Sequence, residues 1–125
     1  MISVLIVEDE VKVLNFLKEG LEHSHFLTTA VTALDQAEVM LSQQAFDVVI
    51  LDRLVQGKDS LAQLSRFKKL APSSRFIVLS ALSDVEQRIR GLELGVDDYV
   101  GKPFHLREVI ARIHTVLRRH EPDRY

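Results

Sequence analysis

Three runs of four consecutive apolar residues, Val4 to Val7, Val48 to Leu51 and Phe76 to Leu79, constrain the fold of this chain most. A strand with one solvated face alternates apolar and polar residues. Unbroken runs suit strands covered on both faces, and therefore a parallel sheet between layers of helix. Weaker strands are expected at Phe26 to Ala30 and at Tyr99-Val100. Around them stand helical patterns: Val11, Leu14, Leu17 and Leu21; Leu34, Ala37 and Leu41; Leu61, Leu64 and Phe67; Val85, Ile89 and Leu92; and Val109, Ile110, Ile113, Val116 and Leu117.

Strand and helix thus alternate five times, which predicts right-handed crossovers and a doubly wound α/β domain with a five-stranded parallel sheet and helices on both faces. The order 2-1-3-4-5 is one of two common solutions, and its ligands gather at the carboxyl ends of strands 1 and 3, where the order reverses. Gly20 and Gly95 are expected to follow helical runs, Gly57 to lie in the loop after strand 3, and Pro72 to precede strand 4.

A chain of 125 residues is long enough for one core and too short for a two-domain enzyme. Its formal net charge of -2 lacks the basic excess of a domain that binds DNA unaided. The absence of cysteine excludes disulfides, thiolate metal sites and thiol nucleophiles. Apolar runs this short cannot span a membrane, and no signal peptide precedes the first strand, so the expected location is the cytoplasm. Residues 1–119 are read as the domain and 120–125 as a tail or the start of a linker.

Polar residues follow the apolar runs at matching places: Glu8 and Asp9 after the first, Asp52 after the third strand, Ser80 after the fourth, Lys102 after the fifth. Singly, each has a plain explanation as a helix cap, a loop residue or a solvated lysine. Together they put three carboxylates, a hydroxyl and an ammonium along one edge of a sheet. Carboxylates gathered in that way resist joint ionisation unless a cation is present. Magnesium takes oxygen ligands, which Glu8, Asp9 and Asp52 can supply along with the backbone carbonyl of Leu54. Asp52 is then the better nucleophile toward a phosphoryl group, with metal and lysine neutralising its oxygens.

From Val7-Glu8-Asp9-Glu10 through Leu51-Asp52, Leu79-Ser80-Ala81 and Gly91 to Tyr99, to Gly101-Lys102-Pro103-Phe104, the chain resembles the receiver domain of two-component response regulators. The last two segments look most like the OmpR/PhoB subfamily, whose receivers precede a winged-helix DNA-binding domain. The resemblance implies the flavodoxin-like receiver fold and a phosphoryl group taken by Asp52 from a phosphohistidine of a sensor histidine kinase. It also implies magnesium held by Glu8 and Asp9, with Lys102 against the phosphoryl group. Ser80 would be drawn toward that group and Tyr99 would turn inward behind it. The Lys102-Pro103 bond is expected to be cis. On phosphorylation a homodimer is implied through helix 4, strand 5 and helix 5, pairing Arg88 with Glu108, Asp98 with Arg112 and Asp97 with Arg119 across a two-fold axis. DNA would be contacted only through a separate C-terminal effector domain.

Some positions depart from the family pattern. An apolar residue and then Pro-Gly and Asp-Gly often follow the acceptor, where this chain has Arg53, Gln56-Gly57 and Asp59-Ser60. Arg53 is the oddest of these. A haloacid-dehalogenase-like phosphatase would need a second aspartate at position 54, which is leucine, and a flavodoxin-like cofactor binder would need a glycine-rich first loop, which is acidic. The remaining alternative is a pseudo-receiver, a binding module of this fold that accepts no phosphate. The five histidines lack ligand spacing, and Phe46, Phe67 and Phe76 are read as core.

Overall fold

The computed structural model describes residues 1–81 and 85–119, with the side chains of 85–87 excepted. The strands β1 (Ser3–Val7), β2 (Leu27–Val31), β3 (Val48–Asp52), β4 (Arg75–Ser80) and β5 (Asp98–Gly101) form one sheet in the order β2-β1-β3-β4-β5. Every neighbouring pair in it is parallel. The helices are α1 (Val11–His23), α2 (Leu34–Gln43), α3 (Leu64–Leu70), α4 (Val85–Glu93) and α5 (Leu106–Arg118).

The unbroken apolar runs have the expected cause. Leu5, Val7, Val49, Leu51, Phe76 and Val78 point into one core with residues of α2 and α3, while Val4, Ile6, Val48, Ile50, Ile77 and Leu79 point into a second with residues of α1 and α5. Each fully buried Leu or Ile there stabilises the fold by roughly 1.5–3 kcal/mol relative to leaving it exposed. Phe46, Phe67 and Phe76 are core residues. Among the described residues no helix is long and apolar enough to cross a membrane.

Five local expectations need correction. The second strand runs Leu27–Val31, one residue later than expected, and Leu61 belongs to a short 3-10 helix, Ser60–Gln63, ahead of α3. Gly20 does not end α1 but lies inside it. A Cβ at Gly20 would collide with the side chain of Leu106, so this glycine lets α5 approach α1. The stripe on α4 is not core: Ile89 is 49% and Leu92 55% exposed, and on α1 Val11 is 59% exposed. The side chain of Val85 and the expected tail at 120–125 lie outside the described residues.

One element had no counterpart in the apolar pattern. Directly after β3 the chain makes a two-stranded antiparallel ribbon, Leu54–Val55 with Lys58–Asp59. Its turn residues Gln56 and Gly57 both have positive φ, 52° and 75°, the geometry a two-residue hairpin turn requires. The ribbon leads straight into the site.

Candidate functional site

The order of the sheet reverses between β1 and β3, and the loops after those strands carry the three acids. Glu8 is fully buried and Asp52 is 6% exposed, so Glu8 lies the deeper of the two. Ligand atoms of Glu8, Asp9 and Asp52 all lie within 4.8 Å of one another. Asp9 does not cap α1, whose cap residue is Glu10; its carboxylate accepts the backbone N–H of Gln56 at 2.9 Å.

Lys102 crosses to this cluster from the end of β5. Its Nζ stands 2.7 Å from an oxygen of Asp52 and 3.2 Å from one of Glu8, and the Lys102-Pro103 peptide is cis. Burial works against the ammonium, but the hydrogen bond and charge of Asp52, joined by Glu8, outweigh it and raise its pKa. Glu8 is pushed up to about 7, first by burial and then by the hydrogen bond and negative charge of Asp52, against the weaker pull of the Glu10 amide and Lys102. Three acids facing one ammonium leave net negative charge in a partly dry site, and a small hard cation with oxygen ligands fits that donor set.

Ser80 ends β4, is buried, and lines with Asp52, Arg53, Leu54 and Lys102 a cavity of about 250 Å³ that opens at the same edge. Tyr99 on β5 is buried at 8% exposure, its ring lying over Gly91 of α4 where a Cβ would collide with it. The structure therefore brings together Glu8, Asp9, Asp52, Ser80 and Lys102, with Leu54 on the cavity rim and Tyr99 one strand beyond Ser80.

The residues expected at a dimer face are arranged differently from one another. Arg88 is exposed on α4. Arg112 contacts Asp98 at 3.3 Å and Glu108 at 3.8 Å within the same chain. Arg119 donates to the backbone oxygen of Asp97 at 3.1 Å, while the Asp97 carboxylate accepts the N–H of Phe76 at 2.7 Å.

Sequence reasoning missed how the odd residues after Asp52 are used. Arg53 is 5% exposed and grips Asp59 with two hydrogen bonds, 2.8 and 3.1 Å. Ser60, fully buried, approaches the backbone oxygens of Asp52 at 2.6 Å and Arg53 at 3.0 Å with its hydroxyl. The signal that could have found the ribbon is the Gln56-Gly57 pair, a two-residue turn with glycine second.

Residues 4–114 match the model of the response regulator receiver domain. The chain belongs to that family. As a receiver it is 42% identical over 120 residues to the transcriptional activator protein IrlR of Burkholderia pseudomallei, covering 93% of this chain and 50% of that protein. It is 34% identical over 121 residues to the transcriptional regulatory protein BaeR of Escherichia coli, covering 97% and 50%. The Francisella response regulator 1452 receiver domain superposes on it with a TM-score of 0.89 at 30% identity, covering 97% of this chain and all of that one. The receiver thus spans about half the length of the curated relatives it matches, and those relatives are transcriptional regulators, in agreement with the OmpR/PhoB-like reading.

Proposed function

We propose that Asp52 accepts a phosphoryl group from a phosphohistidine of a sensor histidine kinase, with magnesium bound by Glu8, Asp9, Asp52 and the carbonyl of Leu54. The observation that carries this reading is the placement of Asp52 between the ammonium of Lys102, at 2.7 Å, and two further acids within 4.8 Å. A carboxylate oxygen of Asp52 attacks phosphorus, the bond from phosphorus to the imidazole nitrogen breaks, and the imidazole leaves with the electron pair. Lys102 holds the negative oxygens, and the hydroxyl of Ser80 donates to one of them. Bound magnesium supplies positive charge for the phosphoryl oxygens. The domain promotes only transfer to itself and the later loss of the group.

Incubation with acetyl phosphate and magnesium, followed by intact mass, tests the reading. One phosphoryl mass per chain is expected, and no adduct would leave the pseudo-receiver alternative. Asp9→Asn should slow that reaction at least tenfold while the fold survives, since it removes one ligand charge and relieves repulsion. Unchanged rates and unchanged metal affinity would count against Asp9 as a ligand.

By resemblance to the OmpR/PhoB subfamily, the phosphorylated receiver would form a homodimer and control a separate C-terminal DNA-binding domain, with residues 1–119 as the receiver unit. The exposed Ile89 and Leu92 of α4 add apolar surface to the expected face. Pairing across a two-fold would exchange the intrachain contacts of Arg112 and Asp98 for equivalent interchain ones. Arg112→Glu should weaken the phosphorylated dimer in sedimentation, and adding Asp98→Arg should restore it. A single variant that dimerises normally would exclude this face.

A further inference from the structure

Arg53 stands beside the acceptor and has no part in the chemistry just described. It continues the alternation of Val49 and Leu51, whose side chains enter the core shared with Tyr99. Its backbone N–H donates to Leu79 at 2.8 Å, and the register places Asp52 opposite Leu79 and Val78 opposite Tyr99. Arg53, Ser80 and Tyr99 therefore follow one another on the same face across β3, β4 and β5, at the edge that carries the acceptor.

The guanidinium is fixed by the ribbon. Its Nε and one terminal nitrogen donate to the two oxygens of Asp59, a planar fork that fixes its orientation. Asp59 is itself anchored, accepting the N–H of Leu61 at 3.0 Å at the start of the 3-10 helix. Burial raises the pKa of the Tyr99 hydroxyl, and the charge of the Arg53 guanidinium, on the same face of the sheet, pulls it back down. Gly91 supplies the space in which that ring lies. None of these contacts involves Asp52, Lys102 or the acidic pair.

We propose that the Arg53–Asp59 ion pair is a latch that holds Tyr99 inward independently of the phosphoryl group, making Arg53 a positioning residue for the face of α4, β5 and α5. The inference rests on reading Asp52 as the acceptor and on reading Tyr99 as the residue that would follow its phosphorylation if the latch were absent. In a receiver without the latch, the inward tyrosine depends on Ser80 being drawn to the phosphoryl group. Here a neighbouring side chain performs that task, so phosphorylation changes the position of Tyr99 little.

Tyr99 and Tyr125 are the only tyrosines and the chain has no tryptophan, so Tyr125→Phe leaves Tyr99 as the sole reporter of intrinsic emission. In that background acrylamide should quench Tyr99 weakly, and equally so with and without acetyl phosphate plus magnesium. Arg53→Met and Asp59→Asn should each raise the quenching constant severalfold without a donor, and in Arg53→Met it should fall again as the adduct forms. Arg53→Lys, which keeps the charge without the fork, should behave as Arg53→Met and replaces it if the methionine variant fails to give a native circular dichroism spectrum. The proposal is overturned if Tyr99 in the parent is quenched strongly until the adduct forms, if either Arg53→Met or Asp59→Asn stays as protected as the parent, or if the adduct restores no protection to Arg53→Met. Adduct mass is scored on the same samples. A missing adduct speaks against Asp52 as acceptor, while the donor-free comparison still decides on the latch.

Discussion

Asp52→Asn is expected to abolish the phosphoryl adduct completely while leaving a folded domain. Asparagine keeps the shape of the side chain but offers no carboxylate oxygen to attack phosphorus. The substitution does not strand Lys102, because Glu8 remains 3.2 Å from its Nζ. It also removes the negative neighbour that helps hold Glu8 above the usual carboxylate range, so repulsion falls as one ion pair is lost. Parent protein should carry one adduct that is labile in base, as acyl phosphates are, and the variant none, with comparable thermal midpoints in the absence of metal. An adduct of equal yield in Asp52→Asn would move the acceptor elsewhere.

Glu8 should make both stability and metal binding depend on pH around neutrality. Its pKa is raised in the folded protein to about 7 from an ordinary 4.5, so between those values the folded state binds the proton that the unfolded state has released. For an acid raised in this way the folded state is disfavoured as pH climbs from 4.5 through 7, and the loss is complete above 7. The shift corresponds to about 3 kcal/mol at most for the metal-free protein. Glu8→Gln should therefore raise the metal-free thermal midpoint at pH 8 and have little effect near pH 4.5. A magnesium ion needs the carboxylate, so apparent metal affinity of the parent should fall roughly tenfold per pH unit below 7. Calorimetric titration at pH 6 and pH 8 measures this. Equal affinities at the two values would mean that Glu8 is not a ligand that must lose a proton.

Much of this was legible because it depends on local pattern. Val4 to Val7, Val48 to Leu51 and Phe76 to Leu79 announced strands buried on both faces, and alternation and handedness left two common strand orders, of which the resemblance to receivers favoured the one observed. Once those strands were placed, Glu8, Asp9, Asp52, Ser80 and Lys102 had to meet at one edge. What stayed hidden depended on residues far apart in sequence. Gly20 resembles a helix terminator until Leu106, on the last helix, is seen to occupy the space of its absent side chain. Ile89 and Leu92 fit a helical stripe as well as Leu14 and Leu17 do, and periodicity alone does not reveal that α4 leaves them in solvent. The relative depth of Glu8 and Asp52 depends on neighbours far off in sequence, as the bond from the Glu8 N–H to the carbonyl of Val31 illustrates, and no local window contains them. Arg53 was visible as unusual, but its partners were not, since the ribbon that returns Asp59 to it is only two residues wide on each side.

At position 56 the family often has proline, and on sequence grounds its replacement by glutamine reads as a restraint lost. The turn geometry reverses that judgement. With φ at +52° the backbone at Gln56 adopts a conformation that a proline ring forbids, and it presents an N–H that proline does not possess. That N–H holds the carboxylate of Asp9 at 2.9 Å. The exchange thus moves rigidity from the loop to the acid: the carboxylate proposed to meet a cation is already oriented by the main chain of the neighbouring turn, with no ion needed to organise it.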